Sequence, residues 1–223
     1  MIALIDIGNT KIKIKTYENN TFKNSYDFLT DDILTEKDKF EIIDKIDLVL
    51  YSSVVSEVDN IIKKYFKVKC IEVKENKLKQ TFFYENIKNI GSDIIANFYG
   101  SLNYKLKHWL IISLGTATTI SVIKNNKLVD CVIQPGLLTS LEGLAIKVKG
   151  FKINTNLNNC NEITKNLIIG HKHMINGFIK DFNCNNIIMT GGYLKYFKNE
   201  FNFENVIKDE LLTFKGIIKI NEI

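Results

Sequence analysis

The opening of this chain is written twice. Ile5-Asp6-Ile7-Gly8 is matched by Ile112-Ser113-Leu114-Gly115, 107 positions later, and the Asn19-Asn20 pair falls within one residue of that offset from Asn125-Asn126. In each copy a short apolar run ends at a glycine turn, a second strand leaves the turn, and an Asn-Asn pair turns the chain into a third strand. A repeat of about half the chain predicts an α/β protein of two similar subdomains, residues 1–105 and 106–223, each led by an antiparallel sheet and facing the other across a cleft.

The rest of the pattern fills in around these sheets. In the first copy Ile2 to Ile7 reads as a buried strand. Ile12 and Ile14 alternate with lysines over Lys11 to Tyr17, as burial of one strand face requires, and a third strand is expected near Phe22 to Tyr26. An α/β stretch follows: a helix over Asp32 to Lys45, a strand over Asp47 to Ser52, a helix over Glu57 to Tyr65, a strand over Val68 to Val73 and a helix over Gly91 to Tyr104. The second copy has strands over Trp109 to Leu114, Thr118 to Lys124 and Leu128 to Gln134. Helices over Leu137 to Val148 and Asn161 to Phe182 come next, then a strand over Asn186 to Met189, Thr190-Gly191-Gly192 and a further helix. The single proline, Pro135, stands before Gly136 in a strand-to-helix turn, where its fixed φ is tolerated.

Composition narrows the function classes. All 30 basic side chains are lysine, so the planar forks that read base edges are missing and no nucleic-acid partner is expected. Cys70, Cys131, Cys160 and Cys184 lie far apart without a CxxC pair, and His108, His171 and His173 form no metal-ligand spacing. No run of 18 apolar residues occurs and the first residues read as a strand, so no membrane partner is expected and a cytoplasmic setting is.

The chemistry concentrates at the strand ends. Asp6-Ile7-Gly8-Asn9-Thr10 closes a buried strand into a tight hairpin: glycine lets backbone N–H groups approach an anion, and Asn9 and Thr10 add side-chain hydrogen bonds. Asp6 can hold a hydrated Mg²⁺, and Lys11 or Lys13 can add a point charge. Gly115-Thr116-Ala117-Thr118-Thr119 occupies the equivalent turn of the second copy, with hydroxyls and amides suited to the same phosphates. Thr190-Gly191-Gly192 offers bare backbone and a helix N-terminus.

On these motifs the chain resembles the type III pantothenate kinases over nearly its whole length. Asp6 to Lys13 is similar to their D-x-G-N-T-x-x-K opening, Gly115 to Thr119 to G-T-A-T-T, Pro135-Gly136 to their P-G turn and Thr190 to Gly192 to T-G-G. Tyr84 to Asp93 keeps the Tyr, Asn, Gly and Asp of Y-D-N-P-x-x-x-G-x-D, with Glu85 and Ile87 in place of its Asp and Pro. The resemblance implies two ribonuclease-H-like subdomains in the actin-like ATPase fold, a homodimer, and ATP- and Mg²⁺-dependent phosphorylation of pantothenate, the first step toward coenzyme A. It implies Asp93 as general base, Tyr84, Gly91, Ser92, Asp93 and position 94 around pantothenate, and Asp6, Ile7, Gly8, Asn9, Thr10, Lys11, Lys13, Gly115, Thr116, Gly191 and Gly192 around ATP.

Four positions depart from that pattern. Ile94 stands where the family has an arginine that would meet the substrate carboxylate. Ser113 replaces the aspartate of the family's monovalent-cation (K⁺ or NH₄⁺) position. Asp130-Cys131 replaces a Gly-Gly pair, and Ile163, followed by Thr164, replaces a substrate-contacting threonine. Two further readings therefore stand beside the kinase: a nucleotide-binding relative without catalysis that acts through a partner, and a kinase for another small alcohol.

Overall fold

The computed structural model describes residues 1–35, 40, 42, 45–73, 90–150, 160–197 and 205–221. The first elements are β1 (Ile2–Ile7), β2 (Lys11–Glu18), β3 (Thr21–Leu29), α1 (Thr30–Thr35), β4 (Leu48–Ser53), α2 (Ser56–Phe66), β5 (Lys69–Glu72) and α3 (Ser92–Ser101). The second series is β6 (His108–Leu114), β7 (Ala117–Lys124), β8 (Lys127–Pro135), α4 (Leu137–Lys147), α5 (Glu162–Asp181), β9 (Asn186–Thr190), β10 (Asn205–Lys208) and α6 (Leu212–Asn221).

The duplication is visible in the strand order. One sheet runs β3-β2-β1-β4-β5 and the other β8-β7-β6-β9-β10, the same arrangement twice, with antiparallel hairpins on one side and parallel strands on the other. Both Asn-Asn pairs sit at positive φ, Asn19 at 50° and Asn20 at 59°, Asn125 at 50° and Asn126 at 58°. Two consecutive left-handed residues make a type I′ turn, whose twist matches that of the strands it joins; asparagine tolerates this at little cost.

The chain divides into two compact units, Met1–Tyr104 with Leu211–Ile223, and Lys105–Glu210. In the first, Ala3, Ile5 and Ile7 of β1 turn to one face of the sheet and join Ile12, Ile14, Val49 and Tyr51 beneath α1 and α2, through Ile33, Val58 and Ile62. Burying each such isoleucine stabilises the unit by about 2 kcal/mol. Because strand side chains alternate, Leu4 and Asp6 lie on the opposite face, on the side where α3 and α6 pack. In the second unit, Leu110, Ile112 and Leu114 face Leu141 of α4 and Ile175 and Ile179 of α5.

Four elements differ from the sequence reading. Helix α1 spans Thr30–Thr35, and Phe40 and Ile42 are not helical; Phe40, 3% exposed, joins the first core. A four-residue 3₁₀ turn, Leu194–Phe197, stands where an α-helix was expected after Gly191-Gly192. The strand β10 and helix α6 were not anticipated, and α6, in the half that simple division assigns to the second subdomain, belongs to the first unit.

Helix α6 lies on α3 at very short range. A Cβ added to Gly216 would stand 1.7 Å from the Ala96 carbonyl oxygen, and one at Gly100 would stand 2.3 Å from that of Leu212. Thr213 Oγ1 donates to Asn97 Oδ1 across the same contact at 2.8 Å. Gly216→Ala is expected to destabilise the protein by about 3 kcal/mol, since backbone must move to admit the methyl group; urea unfolding of the variant measures it.

Candidate active site

In the first unit the acidic residues named from the sequence come together. Asp6, at the end of β1, stands in register with Lys13 of β2 and Ser52 of β4. Asp93 is the second residue of α3, whose N-cap is Gly91. Gly91 takes the first amide hydrogens of that helix, from Ile94 at 3.1 Å and Ile95 at 3.2 Å. The Asp93 carboxylate folds back over Gly91, so that a Cβ there would fall 2.5 Å from Asp93 Oδ1.

These two carboxylates sense each other. Burial first, then the negative charge of Asp93, pushes Asp6 up to about 6 from an ordinary 3.8, while Lys13 draws it back. Asp93 is also held above the carboxylate range, by desolvation, with the amides of Ile94 and of Asp93 itself opposing that rise. The repulsion registers on Asp6 alone. Like charges so placed disfavour double ionisation of the pair, whichever member keeps the proton.

The stability consequence has a definite sign. Folded Asp6 keeps its proton to higher pH than the unfolded chain does, so stability is lost as pH rises from about 3.8 to about 6 and is unaffected below that window. Asp6 remains partly exposed, and solvent screening reduces the size of the effect. The thermal midpoint of Asp6→Asn is therefore expected to match the parent near pH 4 and to exceed it above pH 6, as calorimetry across that range measures.

Around the pair, the hairpin holds its own shape. The Gly8 amide donates to the Lys11 carbonyl at 3.0 Å, and the Thr30 hydroxyl donates to the Gly8 carbonyl at 2.7 Å. Asn9, Thr10 and Lys11 are exposed at its tip, whereas the Ile7 side chain is buried in the core. Ile94 is buried at 5% exposure and presents no polar atom; Tyr84 lies outside the described residues.

In the second unit three backbone segments meet at the end of β6. Gly136 donates its amide to the Thr116 carbonyl at 2.8 Å, and the Thr139 hydroxyl donates to the same oxygen at 2.7 Å. A Cβ on Gly136 would fall 2.0 Å from the Gly115 carbonyl oxygen. Gly191, at φ +100°, lies so close to Leu114 that a side chain would strike its backbone, and Tyr193 donates its amide to the Leu114 carbonyl at 3.0 Å. The structure thus joins Gly115, Thr116 and Gly191, and adds Gly136 and Thr139. After Gly192 the described residues form a 3₁₀ turn, Leu194–Phe197.

Several participants were not evident from the sequence. Thr118 Oγ1 bonds His171 Nε2 at 2.9 Å, tying this hairpin to α5, and burial keeps the imidazole below its ordinary pKa. The spacing of Thr118 and His171 carried no signal, because the bond spans 53 positions. Ser52 bonds Ser92 at 2.9 Å. Thr164 spends its hydroxyl on the cap residue Asn161, at 2.9 Å.

The residues present fit one implied cation and not the other. Mg²⁺ binds through one or two carboxylates, retained waters and substrate phosphates, and the mutual repulsion of Asp6 and Asp93 is the potential a dication relieves. Among the described residues no group of three or more His, Cys, Asp and Glu could hold a metal by itself. Ser113 stands in register with Thr119 and Thr190, a row of three neutral hydroxyls without a carboxylate, which does not reproduce an acidic monovalent-cation site.

Comparison with known proteins gives the family and the fold. The family model described as type III pantothenate kinase matches residues 2–182. A type III pantothenate kinase from Pelagibacter ubique (strain HTCC1062) is 31% identical, covering 98% of each chain. Among solved structures, a Campylobacter jejuni protein described as a Baf family transcriptional activator superposes with a TM-score of 0.67 at 22% identity, covering 99% of this chain and 97% of that one. A ROK family glucokinase from Streptomyces griseus gives 0.50 at 10% identity, covering 98% and 97%. The fold is that of the actin-like ATPases and sugar kinases, and the chain belongs to the type III pantothenate kinase family.

Proposed function

We propose that the protein transfers the γ-phosphoryl group of ATP to the primary hydroxyl of pantothenate, giving 4′-phosphopantothenate and ADP. The observation that supports this most is the pairing of Asp6 and Asp93, one carboxylate at a strand end and one at a helix start, both held above the ordinary range. A base whose pKa is drawn toward neutrality retains driving force for taking a proton from an alcohol. Asp93 accepts the hydroxyl proton, the oxygen bonds to the γ-phosphorus, and the bond from that phosphorus to the β,γ-bridging oxygen breaks as ADP leaves.

The remaining roles are those the family resemblance implies. Asp6 would hold Mg²⁺, which would supply charge neutralisation at the phosphates. Nucleotide-binding roles are proposed for Gly8, Asn9, Thr10, Lys11 and Lys13 in the first unit and for Gly115, Thr116, Gly191 and Gly192 in the second. Lys13, in register with Asp6, balances the acidic pair. Gly91 leaves room for the Asp93 carboxylate. The row of Ser113, Thr119 and Thr190 takes no step in this scheme. The working form is proposed to be a cytoplasmic homodimer joined through α5, which exposes Ile169. No helix among the described residues is long and apolar enough to cross a membrane.

The test is product formation. Purified protein with ATP, Mg²⁺ and pantothenate should release ADP and a phosphorylated pantothenate detectable by mass spectrometry. ADP release with another small alcohol and none with pantothenate would move the substrate assignment; nucleotide binding with no turnover on any alcohol would remove the enzymatic one.

A further inference from the structure

Two serines link the elements that carry the acidic pair. Ser52 lies at the end of β4, in register with Asp6 on the neighbouring strand, and is 1% exposed. Ser92 is the residue before Asp93, opens α3 and is 9% exposed. Their hydroxyl oxygens are 2.9 Å apart, and Ser92 Oγ also lies 2.7 Å from the Ser53 carbonyl oxygen. Each serine has one hydroxyl hydrogen to give. A carbonyl only accepts, so the Ser92 hydrogen goes to Ser53 and the Ser52 hydrogen goes to Ser92. Donation therefore runs in one direction: from Ser52 to Ser92, and from Ser92 to the Ser53 carbonyl of β4.

The bridge lies where it controls the reacting geometry. The N-cap of α3 has no side-chain hydrogen bond of its own, since Gly91 has no side chain. The first turn of α3 is otherwise tied to β4 by packing, which resists sliding less than two directional bonds do. One of these bonds ends on Ser53, the next residue after the register partner of Asp6, so the two serines span from the Asp6 row to the residue beside Asp93.

We propose that Ser52 and Ser92 are positioning residues for the transfer reaction: their bridge holds the first turn of α3 on β4 and so keeps the Asp93 carboxylate beside Asp6. This rests on Asp93 being the base. Ser92 is also one of the residues the resemblance sets around pantothenate, so the role is read at saturating pantothenate, where loss of the bridge should act on turnover rather than on nucleotide affinity.

Steady-state kinetics of Ser92→Ala and Ser52→Ala test it, with ATP, Mg²⁺ and pantothenate and with Asp93→Asn in parallel. For Ser92→Ala, which loses both bonds, kcat is expected to fall roughly 10- to 100-fold with KM for ATP within about two-fold. Ser52→Ala, which keeps the bond to Ser53, should lose less, and Ser92→Thr, which retains the hydroxyl, should recover most of the parent kcat. Should Ser92→Ala fail to fold, Ser52→Ala alone decides. Parental kcat in the alanine variants overturns the proposal, as does a rise in KM for ATP at constant kcat. Full activity in Asp93→Asn removes the reading beneath it instead; an inactive Asp93→Asn beside fully active serine variants removes the bridge alone.

Discussion

Asp93→Asn is expected to lower turnover by roughly 10²- to 10⁴-fold, the contribution of a positioned general base, while the protein stays folded and keeps its nucleotide. The amide is the same size as the carboxylate and sits at the start of α3, so packing barely changes. What changes is charge. Asparagine cannot take the hydroxyl proton, and it no longer repels Asp6. The second effect separates a chemical role from a structural one: Asp6 should become easier to ionise, and Mg²⁺-dependent nucleotide binding, followed by calorimetry, should persist to lower pH. Parental turnover in this variant would remove Asp93 from the reaction.

Gly91→Ala should produce a loss of similar kind with no cost in stability. The backbone at Gly91, φ −60° and ψ 144°, is one that alanine adopts freely. Among the described residues the added methyl meets one atom too closely, Asp93 Oδ1 at 2.5 Å, while Val54 Cγ1 at 3.7 Å is ordinary contact. Since Oδ1 is the free end of a side chain, the fold is spared and the carboxylate swings away. Displacing a reacting group by about 1 Å can cost about 10²-fold in rate. The expected result is kcat lowered on that order with an unchanged or slightly raised melting temperature, in contrast to Gly216→Ala, where the obstructing atom is backbone.

The sequence displayed the duplication because both copies carry the same turn chemistry, apolar strand into glycine and Asn-Asn into the third strand. Those are local rules, and the strand orders follow them. Asp6 was legible as the acidic end of a strand entering a glycine hairpin, whereas Gly91 and Asp93 were named only through the family resemblance. The sequence did not display α6 on α3. That contact joins residues more than a hundred positions apart, through glycines whose value lies only in what they omit. The Ser52 to Ser92 bridge was hidden for the same reason: serine in a strand and serine opening a helix are each unremarkable until the fold brings them together.

The account turns on two carboxylates at the ends of β1 and α3 sharing one electrostatic environment. Carbon-13 NMR of the aspartate side chains, titrated in the parent and in Asp93→Asn, tests this most directly. The prediction is an Asp6 carboxyl that titrates near 6 in the parent and at lower pH in the variant. An Asp6 that titrates near 4 in both would mean that the two groups do not face one another, and the proposed chemistry would lose its basis.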